Sequence, residues 1–143
     1  MPVMIAWSDA FSVDIQEIDE QHKCLVDLIN KLYEVLAGHG DEAIGGILDE
    51  LVRYTRVHFS VEECLMRLFA YEGYEEHKKI HDALVKRVLE LQAQYRAGEQ
   101  KVGMELLYFL KDWLMDHIQR VDKHYSRHLV AHGVKQKWLR KFW

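Results

Sequence analysis

Apolar residues recur at steps of three and four along four stretches of the chain, the pattern of helices that each bury one face. The first stretch is IDEQHKCLVDLINKLYEVL, with Ile18, Leu25, Leu28, Ile29, Leu32 and Leu36 on one side, and GHG at 38–40 ends it. The second runs from about Asp41 to Phe69 through Ile47, Leu48, Leu51, Val52, Tyr54 and Thr55, until YEGYE at 71–75 interrupts the period. The third, EHKKIHDALVKRVLELQAQY, carries Ile80, Ala83, Leu84, Val88 and Leu91. The fourth opens near Gln100 and carries Leu106, Leu107, Phe109, Leu110, Trp113 and Leu114. No stretch alternates with period two for long enough to make a strand. Long helices joined by short turns pack as antiparallel neighbours. The pattern therefore predicts an all-α fold, an up-down-up-down antiparallel four-helix bundle over residues 1–132 with an N-terminal arm and a short C-terminal helix or tail. Residues 133–143 depart from the pattern.

Composition narrows the function. A chain of 143 residues that is 49% hydrophobic and 29% charged builds one core without disulfide staples. The net charge of −4 offers no footprint for nucleic acid. No apolar run approaches the roughly 18 residues of a membrane span, so an integral membrane protein is not expected. The start, MPVMIAWSDAF, lacks the basic region of a signal peptide. Two cysteines, Cys24 and Cys64, build no disulfide framework and suit a reducing compartment. The expectation is a cytoplasmic monomer.

The polar positions then change the picture. HFSVEE places His58 four residues before Glu62, and HKKIH places His77 four before His81. Such pairs are ordinary on solvated helix faces. Height and phase argue otherwise here. Residues equally distant from a hairpin turn lie at the same level, because each rises about 1.5 Å. By that rule His22, His58, Glu62, His77, His81 and His117 fall within about one turn of each other, and His22 and His117 share faces with core residues. Asp122 follows His117 by five residues, which a regular α-helix rotates by about 140°. Both reach one site only if the helix ends, loosens or bulges between Gln119 and Val121. Burying so many polar groups without a metal or dense pairing is prohibitive. Seven protein ligands exceed the six positions of one octahedral ion, so the site should hold two ions. Five imidazoles, two bridging carboxylates and a bridging oxide or hydroxide leave one position open. Imidazole mixed with carboxylate suits iron, and less specifically manganese or zinc.

These same motifs, IDEQHKCLVDLINKL, HFSVEE, HKKIH and HIQRVD, resemble the hemerythrin family, from about Trp7 to Leu129. The resemblance implies a non-haem di-iron centre, oxo- or hydroxo-bridged. In it His77, His81 and His117 hold the saturated iron, His22 and His58 hold the iron with the open position, and Glu62 and Asp122 bridge. It also implies reversible dioxygen binding for storage, transport or delivery, and an apolar oxygen pocket matched by Leu25, Phe59, Trp113, Leu114 and Ile118. The chain contains no Glu-x-x-His, the motif of carboxylate-rich oxygen-activating bundles. A carrier is therefore expected rather than an enzyme. The alternatives are an oxygen or redox sensor, or a peroxidase, nitric oxide reductase or iron-handling oxidase.

Outside the seven, Asp19 sits one turn before His22, where it either accepts a bond from an imidazole N–H or stands solvated. His39 is expected in a solvated turn. His124, His128 and His132 form a stripe that reads as the polar face of a terminal helix, with capture of a stray divalent metal as the alternative. Cys24 and Cys64 should point away from the ligands. The tail GVKQKWLRKFW could dock an acidic partner or an anionic membrane surface, or pack on its own bundle.

Overall fold

The structure, a computed structural model, describes residues 4–38, 41–98 and 103–133. His39 and residues 134–143, with the docking expected of that tail, lie outside the described residues. Four long helices follow the sequence pattern: α1 (Gln16–Ala37), α2 (Asp41–Leu68), α3 (Tyr74–Arg96) and α4 (Met104–Asp116). A π-helical turn, His117–Asp122, leads from α4 into a short α5 (Lys123–Ala131). No strand occurs among the described residues. The consecutive helices α1 and α2, and α2 and α3, pack as hairpin neighbours, and α1 also packs against α4.

Each helix buries the stripe that its period prescribes. Ile18, Leu25, Ile29 and Leu32 of α1 meet Leu48, Leu51 and Phe59 of α2, with Leu84 and Val88 of α3 and Leu107, Leu110 and Leu114 of α4 closing the core. Three expected core residues do not join it: Ile80, Ala83 and Phe109 are exposed. They sit beside the buried stripe, where a three-four period assigns apolar residues to a helix but not to a face.

The N-terminal arm is tied down at several points. The Asn30 side chain bonds both the N–H and the C=O of Ile5 at 2.9 Å. Lys23 lies 5.4 Å over the Trp7 ring. Lys123 donates to the Ala10 carbonyl at 2.7 Å, joining the arm to the segment that carries Asp122. Asp19 belongs to this arrangement. Its oxygens accept from the Ser12 hydroxyl at 2.6 Å and the Val13 N–H at 2.8 Å, so it fixes the entry to α1 and neither supports an imidazole nor stands solvated.

The α2–α3 turn sets the height of Glu62 against His77. Ala70 ends α2 with φ 54°, and the Tyr71 N–H reaches back to the Met66 carbonyl at 2.8 Å, a Schellman closure. A left-handed conformation costs an L-residue about 1–2 kcal/mol that glycine avoids. Ala70→Gly should therefore raise stability by about 1 kcal/mol, net of the added freedom of the unfolded chain. Urea unfolding of metal-free protein checks this; a loss of stability would contradict it.

Candidate metal centre

Five imidazoles and two carboxylates converge in the interior at the level that hairpin counting predicts. His22, His58, Glu62, His77, His81, His117 and Asp122 are all buried, four of them with no exposed surface. The π-helical turn accounts for the last. Its wider winding carries Asp122 back toward the phase of His117, the irregularity that the five-residue spacing demands.

The seven form two groups that share both carboxylates. Glu62, His77, His81, His117 and Asp122 make one, and His22, His58, Glu62 and Asp122 the other. Asp122 spans them. Its Oδ1 lies 3.1 Å from His77 Nε2 and 3.0 Å from His117 Nε2, while Oδ2 lies 3.1 Å from His22 Nε2. Glu62 Oε1 stands 3.1 Å from His58 Nε2 and 3.5 Å from His81 Nε2.

Two features fit a metal better than a hydrogen-bonded polar core. His77, His81 and His117 point their Nε2 atoms at each other, with 3.0 Å and 3.1 Å between His81 and the other two. Two donors about 2.1 Å from one ion and at right angles to each other are separated by about 3.0 Å. In addition, both His22 nitrogens, Glu62 Oε1 and both Asp122 oxygens are buried with no hydrogen-bond partner among the described residues. Their contacts are short but misaligned for hydrogen bonds, as expected when lone pairs aim at a common centre. Buried orphans of that kind are costly unless a cation collects them.

Charge inside the metal-free site is already paired. Burial opposes the charged form of His22, but the Asp122 and Glu62 carboxylates outweigh it and raise the pKa from 6.5 to about 9. Burial likewise opposes ionised Glu62, as does the Asp122 charge, yet His58 and His22 hold it well below the usual carboxylate range. Asp122 is pulled down against burial by His117, His22 and His77. Burial keeps His81 neutral, lowering it to about 3. Tyr125 is pushed well above 10 by burial and then by the two carboxylates, and its hydroxyl donates to Glu62 Oε2.

These shifts have signs that can be measured. His22 gains its partners in the folded state, so its stabilisation is full below pH 6.5 and is lost as pH rises through about 9. His81 acts oppositely: the unfolded chain takes up a proton below pH 6.5 that the fold refuses down to about 3. Metal-free protein should therefore be most stable near pH 6.5 and weaken on both sides. A cation must also displace the His22 proton. Calorimetry in buffers of different ionisation enthalpy should show about one more proton released per chain at pH 7.5 than at pH 10. Equal release at both pH values would contradict the pairing.

Two outer partners were not evident in the sequence. The Gln21 amide oxygen lies 2.6 Å from His58 Nδ1, and Glu63 Oε2 lies 2.8 Å from His81 Nδ1. Each directly precedes or follows a ligand, and that adjacency was the one available signal.

A partly open apolar cavity of about 30 Å³ lies beside the centre, behind rings that stack on two of its imidazoles. Leu25, Phe59, Trp113 and Leu114 line it, with Ile29, Leu51, Thr55, Leu84, Val88 and Leu110. Ile118 does not line it: it is fully buried in the core on the turn after Leu114. Phe59 stacks on His81 at 3.7 Å and Trp113 on His117 at 4.4 Å, so rings of the cavity wall touch the imidazoles directly. Thr55 contributes the one hydroxyl, and it is committed to the Leu51 carbonyl at 2.7 Å. The space exceeds the roughly 10–15 Å³ a water needs, but offers few of the two to four polar partners that hold one.

The remaining candidates stay apart from the site. Cys24 and Cys64 are exposed thiols. His128 bonds the Phe69 carbonyl at 2.7 Å and stacks on His132 at 4.0 Å, a strut between α5 and the end of α2. His124 is exposed.

Seven donors inside a four-helix bundle define a metal-binding helical protein. The hemerythrin HHE cation binding domain model matches residues 13–129. The bacteriohemerythrin of Pseudomonas aeruginosa strain LESB58 is 40% identical over 142 residues, spanning 94% of this chain and 92% of the relative. That of Methylococcus capsulatus strain Bath is 37% identical over 129 residues, spanning 90% and 98%. A crystal structure of wild-type hemerythrin superposes with a TM-score of 0.85 at 37% identity, covering 88% of this chain and 98% of that one. The chain belongs to the hemerythrin family.

Proposed function

We propose that this protein binds dioxygen reversibly at two iron ions, to store, carry or deliver it. His77, His81 and His117 would hold one ion and His22 and His58 the other, with Glu62 and Asp122 shared between them. A ferrous pair held there would supply the reversible two-electron chemistry that dioxygen binding needs. The observation that carries this reading is the pairing of an imidazole-rich donor set with an apolar cavity whose Phe59 and Trp113 walls stack on two of the imidazoles.

The protein's own groups have distinct tasks. Asp122 directs one oxygen to each group of imidazoles and so sets the spacing of the two positions. Tyr125 donates to Glu62 Oε2, which limits the directions that this carboxylate adopts. Phe59, Trp113, Leu114 and Leu25 keep bulk water from the space beside the ligands. The exposed, unpaired Cys24 and Cys64 suit a reducing compartment such as the cytoplasm.

Stoichiometry tests the proposal. Iron-loaded protein should contain close to two irons per chain, and anaerobically reduced protein should take up one dioxygen per two irons. One iron per chain, or zinc after iron-replete expression, would contradict it.

A further inference from the structure

Resting on the two-ion reading above, we propose that Glu63 and Gln21 are positioning residues that make the protein grip the two ions unequally. Both act through an imidazole. Glu63 meets His81, a member of the three-imidazole group, and Gln21 meets His58, a member of the two-imidazole group.

The geometry fixes the same tautomer on both rings. With an acceptor oxygen at Nδ1, the proton stays on that nitrogen and the Nε2 lone pair faces the site. His58 Nε2 lies 3.1 Å from Glu62 Oε1, and His81 Nε2 lies 3.1 Å from His117 Nε2, so each Nε2 does point into the cluster. The two acceptors differ in charge. A carboxylate forms the stronger, charge-assisted bond, draws the Nδ1 proton toward itself and makes Nε2 the better donor. An amide oxygen orients its ring as well but adds no charge.

The difference is built in rather than incidental to the surface. Glu63 retains 17% exposure while His81 has none, so the carboxylate keeps some contact with water beside a fully buried ring. The two-imidazole group is weaker on a further count. His22 Nδ1 is buried and has no hydrogen-bond partner among the described residues. One position thus has three imidazoles, one of them anionically supported. The other has two, of which one is supported by a neutral amide and one is not supported at all. The second ion is the one held loosely.

Cobalt(II) is a suitable probe, because its retention does not depend on oxygen binding. Full-length protein loaded with cobalt(II) and challenged with excess EDTA should lose its ions in two phases of one ion per chain. Glu63→Gln keeps the shape and an acceptor oxygen and removes only the charge. It should speed the slow phase by about 10–100-fold, the usual effect of altering an outer partner of a metal-bound imidazole, and leave the fast phase unchanged. Gln21→Glu should slow the fast phase several-fold. A merely structural role for Glu63 predicts wild-type rates in Glu63→Gln. Wild-type rates, or equal acceleration of both phases, would overturn the proposal. Failure of the iron protein to bind dioxygen would overturn the oxygen reading while leaving two-phase cobalt release intact, so the two ideas fail separately.

Discussion

Asp122→Ala protein should fail to retain two irons and should unfold at a markedly lower temperature than iron-loaded wild type. Asp122 is buried without exposed surface, and its two oxygens face different groups of imidazoles. Its loss removes a ligand from both positions, takes away the main partner of charged His22 and empties the space that sets the ions' separation. Altering an outer partner alone weakens metal binding by about 10–100-fold, and a shared ligand should cost more. Metal binding is coupled to folding. A site filled at a hundred times its dissociation constant contributes about 2.7 kcal/mol, so two emptied sites remove about 5 kcal/mol. Iron analysis and thermal unfolding report both effects. His132→Ala is the control, because that ring is exposed and, among the described residues, its hydrogen bond goes to the His128 carbonyl away from the site. If His132→Ala empties the site as readily as Asp122→Ala, the assigned ligand set is wrong.

The second large effect belongs to the cavity. Leu114→Ala should leave two irons in place yet speed oxidation of the ferrous protein to a form that no longer binds dioxygen. Leu114 lines the cavity one turn before His117 and is nearly fully buried. Truncating it opens room beside the ligands, and a larger space next to polar donors admits ordered water more readily. A tenfold faster oxidation corresponds to only about 1.4 kcal/mol in the barrier, a modest demand on such a change. The same substitution should cost about 2–5 kcal/mol of stability. Ile118→Val separates the two consequences. Ile118 is fully buried but outside the cavity lining, so its variant should lose about 1 kcal/mol and oxidise at the wild-type rate. If Ile118→Val oxidises as fast as Leu114→Ala, general loosening and not water entry governs the rate.

Much of this site was legible because helices convert spacing into direction. His58 with Glu62 and His77 with His81 sit four residues apart, and hairpin symmetry brings their levels together. The five-residue step from His117 to Asp122 even called for an irregular turn, and a π-helical one is found there. What could not be read depends on contacts between elements. Asp19 shares a face with His22, but the N-terminal arm folds Ser12 and Val13 onto its oxygens. Gln21 and Glu63 neighbour ligands in sequence and would point about 100° away from them on their own helices. Each serves an imidazole of a different helix, so its role emerges only once helix packing is known. Ile118 shows the same limit: helical spacing placed it near the site, but the cavity closes without it. Ile80 and Phe109 obey the apolar period and still face solvent.

The most direct test of the central claim is the visible spectrum through a cycle of oxygenation. Reduced, iron-loaded protein should be nearly colourless under argon, develop a charge-transfer band on exposure to dioxygen, and lose it when dioxygen is removed. Repeated cycles should recover the ferrous spectrum with the iron still bound. A protein that binds two irons but goes irreversibly to the ferric form on first contact, or consumes dioxygen and reductant faster than it releases dioxygen, would contradict a reversible carrier.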